Sequence, residues 1–245
     1  VTDAAQNPEA HPKAQDKPVA VIVLAAGAGT RMKSATQKTL HSIGGRTLLS
    51  HSLHAAAGID PARIVAVIGH GRDQVGPAVA EVSKQLGREI DTAVQEQQNG
   101  TGHAVQCAME ALEGFEGTVV VTNADVPLLS PDTLRELTAT HNGASVTVLS
   151  VHQDNPTGYG RILRTNDGMV TAIVEEKDAT EKQKAITEVN SGVFAFDAAI
   201  LRDGLAQLNT DNAQGELYLT DVLSIARRAG HPVRAHIAAD AAELA

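Results

Sequence analysis

The chain has 245 residues, of which 42% are hydrophobic, 20% charged and only 2% aromatic, the composition of an ordinary folded protein of one large or two small domains with an aliphatic core. Lys and Arg number 20 against 29 Asp and Glu, a net charge of −9 with no Trp to stack on, which argues against both duplex and single-strand nucleic-acid binding. The single cysteine, Cys107, excludes an internal disulfide and a multi-thiolate zinc site and fits a reducing cytoplasm.

Residues 1–17 are Ala, Pro, Gln and charge without aliphatic periodicity, and they read as a flexible tail. The start without Met reads as processed or engineered, and residues 18–245 as one domain. The apolar run 19–26 is far short of the roughly 20 residues that a bilayer crossing needs. Polar and acidic residues precede it, so 19–24 reads as a buried strand rather than a membrane span or secretion signal.

Apolar runs then alternate with amphipathic stretches. A helix over 47–57 takes Thr47 as its cap, turns Leu49, Leu53 and Ala56 inward and stops at Gly58. Strand 63–68, helix 71–86 closed by Gly87, strand 90–94, helix 102–112 closed by Gly114 and strand 118–122 follow. Ser130-Pro131 opens another helix, with Pro where its missing N–H costs nothing. This alternation predicts βαβ crossovers, an α/β fold whose largely parallel sheet carries helices on both faces. After residue 144 the pattern changes. Stretches 145–151, 160–164, 170–174 and 188–196 are strand-like with few helices between them, and they predict antiparallel additions to the sheet. Helices over 198–208 and 219–229 precede a last strand, 233–237.

The first strand runs directly into Leu24-Ala25-Ala26-Gly27-Ala28-Gly29-Thr30-Arg31-Met32, with Lys38 soon after. A turn of small residues at the carboxyl end of a parallel strand lets backbone N–H groups approach an anion. The Walker pattern fails because no Gly-Lys-Ser/Thr follows. The dinucleotide fingerprint fails at Met32 and at Ile68-Gly69-His70, where no acidic residue ends the next strand. Arg31 and Lys38 favour a phosphate site, Arg as a fork and Lys as a mobile point charge. A tight turn with incidental glycines and two solubilising cations is the alternative on the loop alone. Asp125, just past strand 118–122, is a lone carboxylate at the sheet's carboxyl edge and suits Mg²⁺. His51 and His54, a helical turn apart, lack a third zinc ligand, and Cys107 reads as packing.

The stretch L-A-A-G-x-G-T-R-M followed by Lys resembles the signature of sugar-1-phosphate nucleotidylyltransferases. More narrowly, residues 20–244 resemble the N-terminal uridyltransferase domain of the bacterial bifunctional family that makes UDP-N-acetylglucosamine. The resemblance is carried in order by Gln95-Glu96-Gln97-Gln98-Asn99-Gly100-Thr101-Gly102-His103-Ala104, Asp125-Val126-Pro127-Leu128, Pro156-Thr157-Gly158-Tyr159-Gly160-Arg161, Ile173-Val174-Glu175, Glu188-Val189-Asn190-Ser191-Gly192 and Asn212-Ala213-Gln214-Gly215-Glu216-Leu217-Tyr218. It implies a Rossmann-like nucleotide-diphospho-sugar transferase fold and transfer of UMP from UTP to N-acetylglucosamine 1-phosphate, with no nucleic-acid or membrane partner. Leu24, Ala25, Ala26 and Gly27 would give backbone donors to the nucleotide, Arg31 would hold the outer phosphates and Lys38 the reacting one. Gln95 would read the uracil edge beside Gly100 and Thr101, Asp125 would hold Mg²⁺, and Gly160, Glu175 and Asn190 would take the sugar phosphate.

This chain departs from the family pattern at three places. Gln37 stands where a Pro usually precedes the Lys, and Asn123-Ala124 replaces the usual Gly, so these two would give backbone contacts only. The chain also ends at Ala245, before the stretch in which the family carries an Asn as second metal ligand and the β-helix acetyltransferase domain that makes it trimeric. Another sugar-1-phosphate nucleotidyltransferase and a catalytically silent nucleotide-sugar binding protein are the alternative functions.

Overall fold

The run Val-Ala-Val-Ile-Val-Leu has no polar face, so it is stable only as a strand covered on both sides. It forms β1 (Val19–Leu24), in which the residues from Ala20 to Val23 are wholly buried. The computed structural model describes residues 17–27 and 36–244, and within them β1 is the centre of a parallel array. β4 (Arg63–Ile68) pairs with it on one side and β6 (Thr118–Asn123) on the other. β5 (Asp91–Val94) extends the array beyond β4. Before β4 lies a short hairpin of β2 (Ser42–Ile43) and β3 (Arg46–Thr47).

The helices begin and end where local chemistry puts them. Thr47 caps α1 (Leu48–Ala57) by accepting the Ser50 N–H at 3.1 Å, and Ser130 caps α4 (Pro131–His141) through the Thr133 N–H at 3.2 Å. α2 (Arg72–Leu86) and α3 (Thr101–Ala111) lie between them. α3 starts one residue earlier than its pattern predicts, because Thr101 already belongs to its first turn. Leu112, rather than Gly114, follows its last residue.

The four strand-like stretches after residue 144 pair antiparallel, as expected. β10 (Glu188–Asp197) is antiparallel both to β6 and to β7 (Val146–His152), and β11 (Val233–Ile237) is parallel to β7. A strand with two antiparallel neighbours leaves those neighbours pointing the same way. β7 and β11 therefore run with the parallel array, and only β10 is reversed along the path β11-β7-β10-β6-β1-β4-β5. β8 (Arg161–Arg164) and β9 (Val170–Val174) form an antiparallel hairpin joined to β10 where Arg161 meets Val189. The single turn α5 (Glu181–Lys184) precedes β10 and is too short to show a period. α6 (Ala198–Leu205) and α7 (Asp221–Arg228) are shorter than their apolar patterns predict. Lys17, the last residue of the expected tail, pairs with Asp197 at 3.0 Å.

Two aliphatic cores flank the sheet. Ala20 and Ile22 of β1 face one core with α3, α6 and α7, while Val21 and Val23 face the other with α1, α2 and α4. Leu53 of α1 is wholly buried in the second core. Truncating it removes three carbons that no other side chain replaces, and Leu53→Ala is expected to cost about 3 kcal/mol. Urea unfolding tests this: the midpoint should fall with the denaturant slope unchanged, and a loss under 1 kcal/mol would mean that the site collapses around the shorter side chain.

Candidate active site

From β1 the chain adds β4 and then β5 on one side, and it returns to place β6 on the other. Such a reversal leaves a crevice outside the carboxyl ends of the two strands, because the crossovers lead away from it in both directions. Leu24 ends β1 in register with Asn123 at the end of β6. A cleft of about 460 Å³ opens beyond them, lined by Ala25, Ala26, Gly27, Lys38, Gln95 and Asp125 among others. Gly100 and Thr101 also reach it. Arg31 lies outside the described residues.

The backbone at the end of β1 is only partly available. Ala25 N–H donates to the Val67 carbonyl at 2.8 Å, and the Leu24 carbonyl accepts Ala124 N–H at 2.9 Å. Of the expected donors, those of Ala26 and Gly27 are the ones that lie past this last sheet bond. Ala124 itself does not line the cleft; its methyl is buried in the second core, so the residue that departs from the family's Gly is accommodated there.

Lys38 opens a single 3-10 turn, Lys38–Leu40. Its Nζ lies 2.7 Å from Asp125 Oδ2, joining the segment after β1 to the loop after β6. Both side chains are roughly 40% exposed (42% and 38%), and a pair so open to water stabilises the fold by at most about 1 kcal/mol. Gln37 is seated by packing rather than by proline stiffness. A Cβ on Gly71 would come within 2.3 Å of the Gln37 side chain, and Gly71 holds φ at +70°. Gly71 therefore lets α2 begin directly against the residue that precedes Lys38.

Gln95 follows β5, is only 4% exposed, and donates from Nε2 to the Gly100 carbonyl at 3.0 Å. His103 Nδ1 lies 3.2 Å from the same nitrogen. The Gln95 amide nitrogen is thus turned inward. Gly100 has φ of +101°, and a Cβ there would meet the Leu217 carbonyl at 2.5 Å. Thr101 Oγ1 accepts the Leu219 N–H at 3.1 Å, and Gly102 N–H donates to the Leu217 carbonyl at 2.8 Å. The start of α3 is therefore closed against the segment 217–219.

Gly160, Glu175 and Asn190 do not line this cleft; they form a second wall beside it. Asn190 N–H donates to the Gly160 carbonyl at 2.8 Å, and an added Cβ on Gly160 would touch the Glu175 carboxylate at 3.3 Å. The Asn190 side chain accepts the Gly192 N–H at 2.9 Å. The Gly192 carbonyl meets Asn123 Nδ2 at 3.4 Å, linking this wall to the end of β6. Glu175 accepts the Thr220 hydroxyl at 3.0 Å. Burial pushes its carboxyl above the ordinary value, the Thr220 bond works against that shift, and the acids Asp221 and Asp178 add to it.

Four further residues line the cleft without having been singled out by sequence: Thr39, Gln98, Ala104 and Glu216. Gln98 and Glu216 stand inside quoted motifs, but nothing in their spacing distinguishes them from their neighbours. His51 donates to the Ile43 carbonyl at 2.8 Å and His54 to the Ser50 carbonyl at 2.7 Å, so each is engaged locally. Cys107 packs at the edge of the first core, and burial pushes its thiol up. Among the described residues no group of three His, Cys, Asp or Glu could hold a metal. A cation at Asp125 would have one protein carboxylate, the donor set of an ion that keeps its waters and shares substrate phosphates.

Known proteins resemble this chain in sequence and in fold. Bifunctional protein GlmU of Corynebacterium jeikeium is 94% identical over 227 residues, covering 93% of this chain and 47% of that protein. The GlmU protein of Rhodococcus opacus is 60% identical over 232 residues, 92% of this chain and 46% of that one. The chain thus spans about half the length of these curated relatives. A crystal structure of UDP-glucose pyrophosphorylase with UDP-glucose superposes with a TM-score of 0.72 at 18% identity, covering 88% of each chain, which shows a shared fold. Residues 21–243 match the MobA-like NTP transferase domain, and with the cleft at the switch point of its sheet the chain belongs to that family of nucleotidyltransferases.

Proposed function

We propose that the chain transfers UMP from UTP to N-acetyl-α-D-glucosamine 1-phosphate, giving UDP-N-acetylglucosamine, a cell-wall precursor, and pyrophosphate. The observation that carries this reading is the meeting of Lys38, Asp125, the end of β1 and Gln95 in one cleft at the switch point. The names of its GlmU relatives support it. The 18–245 stretch acts as one nucleotidyltransferase domain. Its trimeric assembly would depend on the relatives' remaining half. The reaction belongs in the cytoplasm, where one free thiol stays reduced.

The acceptor already carries a negative phosphate oxygen, so the protein needs no strong base and no covalent intermediate. Its task is to hold two anions in line and to offset the charge that gathers as pyrophosphate leaves. Gly27 and Ala26 N–H groups meet the nucleotide phosphates, and Arg31 takes the outer ones. Lys38 exchanges Asp125 for the reacting phosphate. The Gln95 carbonyl oxygen, left over once Nε2 is bonded inward, accepts from a base N–H, with Gly100 and Thr101 closing the base pocket. Gly160, Glu175 and Asn190 hold the sugar. Asp125 would hold Mg²⁺, which when bound supplies charge neutralisation at the phosphoryl oxygens.

Pyrophosphate release, followed with UTP, CTP or dTTP against N-acetylglucosamine 1-phosphate or glucose 1-phosphate, tests the reading. UTP with the acetamido sugar should exceed every other pair at least tenfold in kcat/KM. Release with another pair instead would reassign the substrate, and product binding without release would make this a silent binding protein. Lys38→Ala should lower kcat/KM at least 100-fold, about 2.7 kcal/mol of transition-state stabilisation. Turnover within a few-fold of the parent would remove Lys38 from the mechanism. Asp125→Asn should raise the Mg²⁺ concentration for half-maximal rate at least tenfold.

Glu175 separates binding from stability. Its folded pKa lies above its unfolded one, so its contribution to stability is full below the ordinary carboxylate pKa and is lost as pH rises through the raised value. Above that raised value the ionised carboxylate is thus a cost to the fold, and Glu175→Gln should there melt at the same temperature or higher. The same variant should raise KM for the sugar phosphate at least tenfold. A large drop in melting temperature, or an unchanged KM, would contradict that assignment.

A further inference from the structure

Beyond Ala25 the sheet no longer holds the chain that leads into the cleft. The Ala26 carbonyl is bonded from two other loops: His70 N–H reaches it at 3.3 Å, and Gln98 Nε2 reaches it at 2.7 Å across 72 residues of sequence. Gln98 is exposed and lines the cleft, so its side chain gains little from burial and holds one shape through this bond.

A trans peptide is planar, and the carbonyl of one residue points opposite to the N–H of the next. Holding the Ala26 carbonyl against Gln98 and His70 therefore fixes the Gly27 N–H on the opposite side. Gly27 lines the cleft, and among the described residues an added Cβ there would meet nothing within 4 Å. An N–H whose peptide is fixed at the cleft wall is a donor oriented before any anion arrives, and such pre-orientation removes an ordering cost from binding.

We propose that Gln98 is a positioning residue that sets the Ala26–Gly27 peptide and thereby the nucleotide's affinity, without itself touching the reacting atoms. This rests on the reading of the cleft as a nucleotide site. Its signature is a change in nucleotide binding with the sugar-phosphate constants left alone.

The test compares the parent with Gln98→Glu, Gln98→Met and Gln98→Lys by equilibrium titration with UTP and Mg²⁺ and by steady-state kinetics. Glutamate keeps the shape but turns an oxygen toward the Ala26 carbonyl, and UTP should bind at least tenfold more weakly, with KM for UTP rising in step. KM for the sugar phosphate and the melting temperature should stay within twofold and 2 °C of the parent. Methionine, which removes the donor without adding charge, should weaken UTP about fivefold, and lysine, which restores a donor, should return it to within threefold. UTP affinity within twofold of the parent in a folded Gln98→Glu protein overturns the proposal; should that variant unfold, the same limit applied to Gln98→Met decides. A parent that binds CTP or dTTP but not UTP defeats the uridylyl reading instead, and the Gln98 series is then scored with the nucleotide that binds.

Discussion

A strand buried on both faces can carry chemistry only at its end. Every interior side chain of β1 is enclosed by one of the two aliphatic cores, so polar work is excluded along its length and confined to the residues that follow Leu24. β6, which runs alongside β1, likewise buries Val119, Val120 and Val121 in the two cores, with Thr122 the one polar residue of its interior. Because β1 and β6 are adjacent but the chain visits β4 and β5 between them, their ends adjoin without a crossover filling the gap. The cleft, and the approach of Lys38 to Asp125 inside it, follow from that constraint.

The reversed strand β10 supplies what a purely parallel sheet could not. Running antiparallel to β6, it places its beginning, Glu188 to Gly192, at the edge where β1 and β6 finish. Its pairing with β7 shifts register between Asn190 and Val193, so a segment of the strand leaves regular pairing at the point that meets Gly160 and Asn123. The β8–β9 hairpin hangs from the same stretch and delivers Glu175 just past the end of β9. A second wall of polar groups therefore stands beside the first without a separate domain.

This division decides how much was legible in the residues alone. Strands such as 19–24 and 63–68 declare themselves because burial on both faces demands unbroken aliphatic runs, and helix starts at Thr47 and Ser130 because capping is local chemistry. The direction of β7 was not legible, since a strand's sense depends on which neighbour it finds rather than on its own pattern. Likewise Lys38 and Asp125 could be named as charged residues near strand ends, but only the sheet order shows that they meet. Gln98 was less legible still. Its bond to the Ala26 carbonyl spans 72 positions, and a glutamine in a loop has no periodicity or charge to mark it.

The weakness of the Lys38–Asp125 pair completes the physical picture. Two side chains this exposed gain little from one another in water, so the fold has no strong interest in keeping them 2.7 Å apart. A pair held for stability would sit like Arg164 and Glu188, where the carboxylate is 8% exposed, takes a two-pronged guanidinium and also accepts from Ser150. At the cleft the sheet instead brings together a cation and an anion that can part cheaply. In the proposed reaction an arriving polyphosphate would offer Lys38 more negative charge than Asp125 does, and a divalent ion would offer Asp125 more positive charge than Lys38 does. Under the proposed function the exchange of partners would become favourable when both ligands are present, because the contact that must break for it is a weak one.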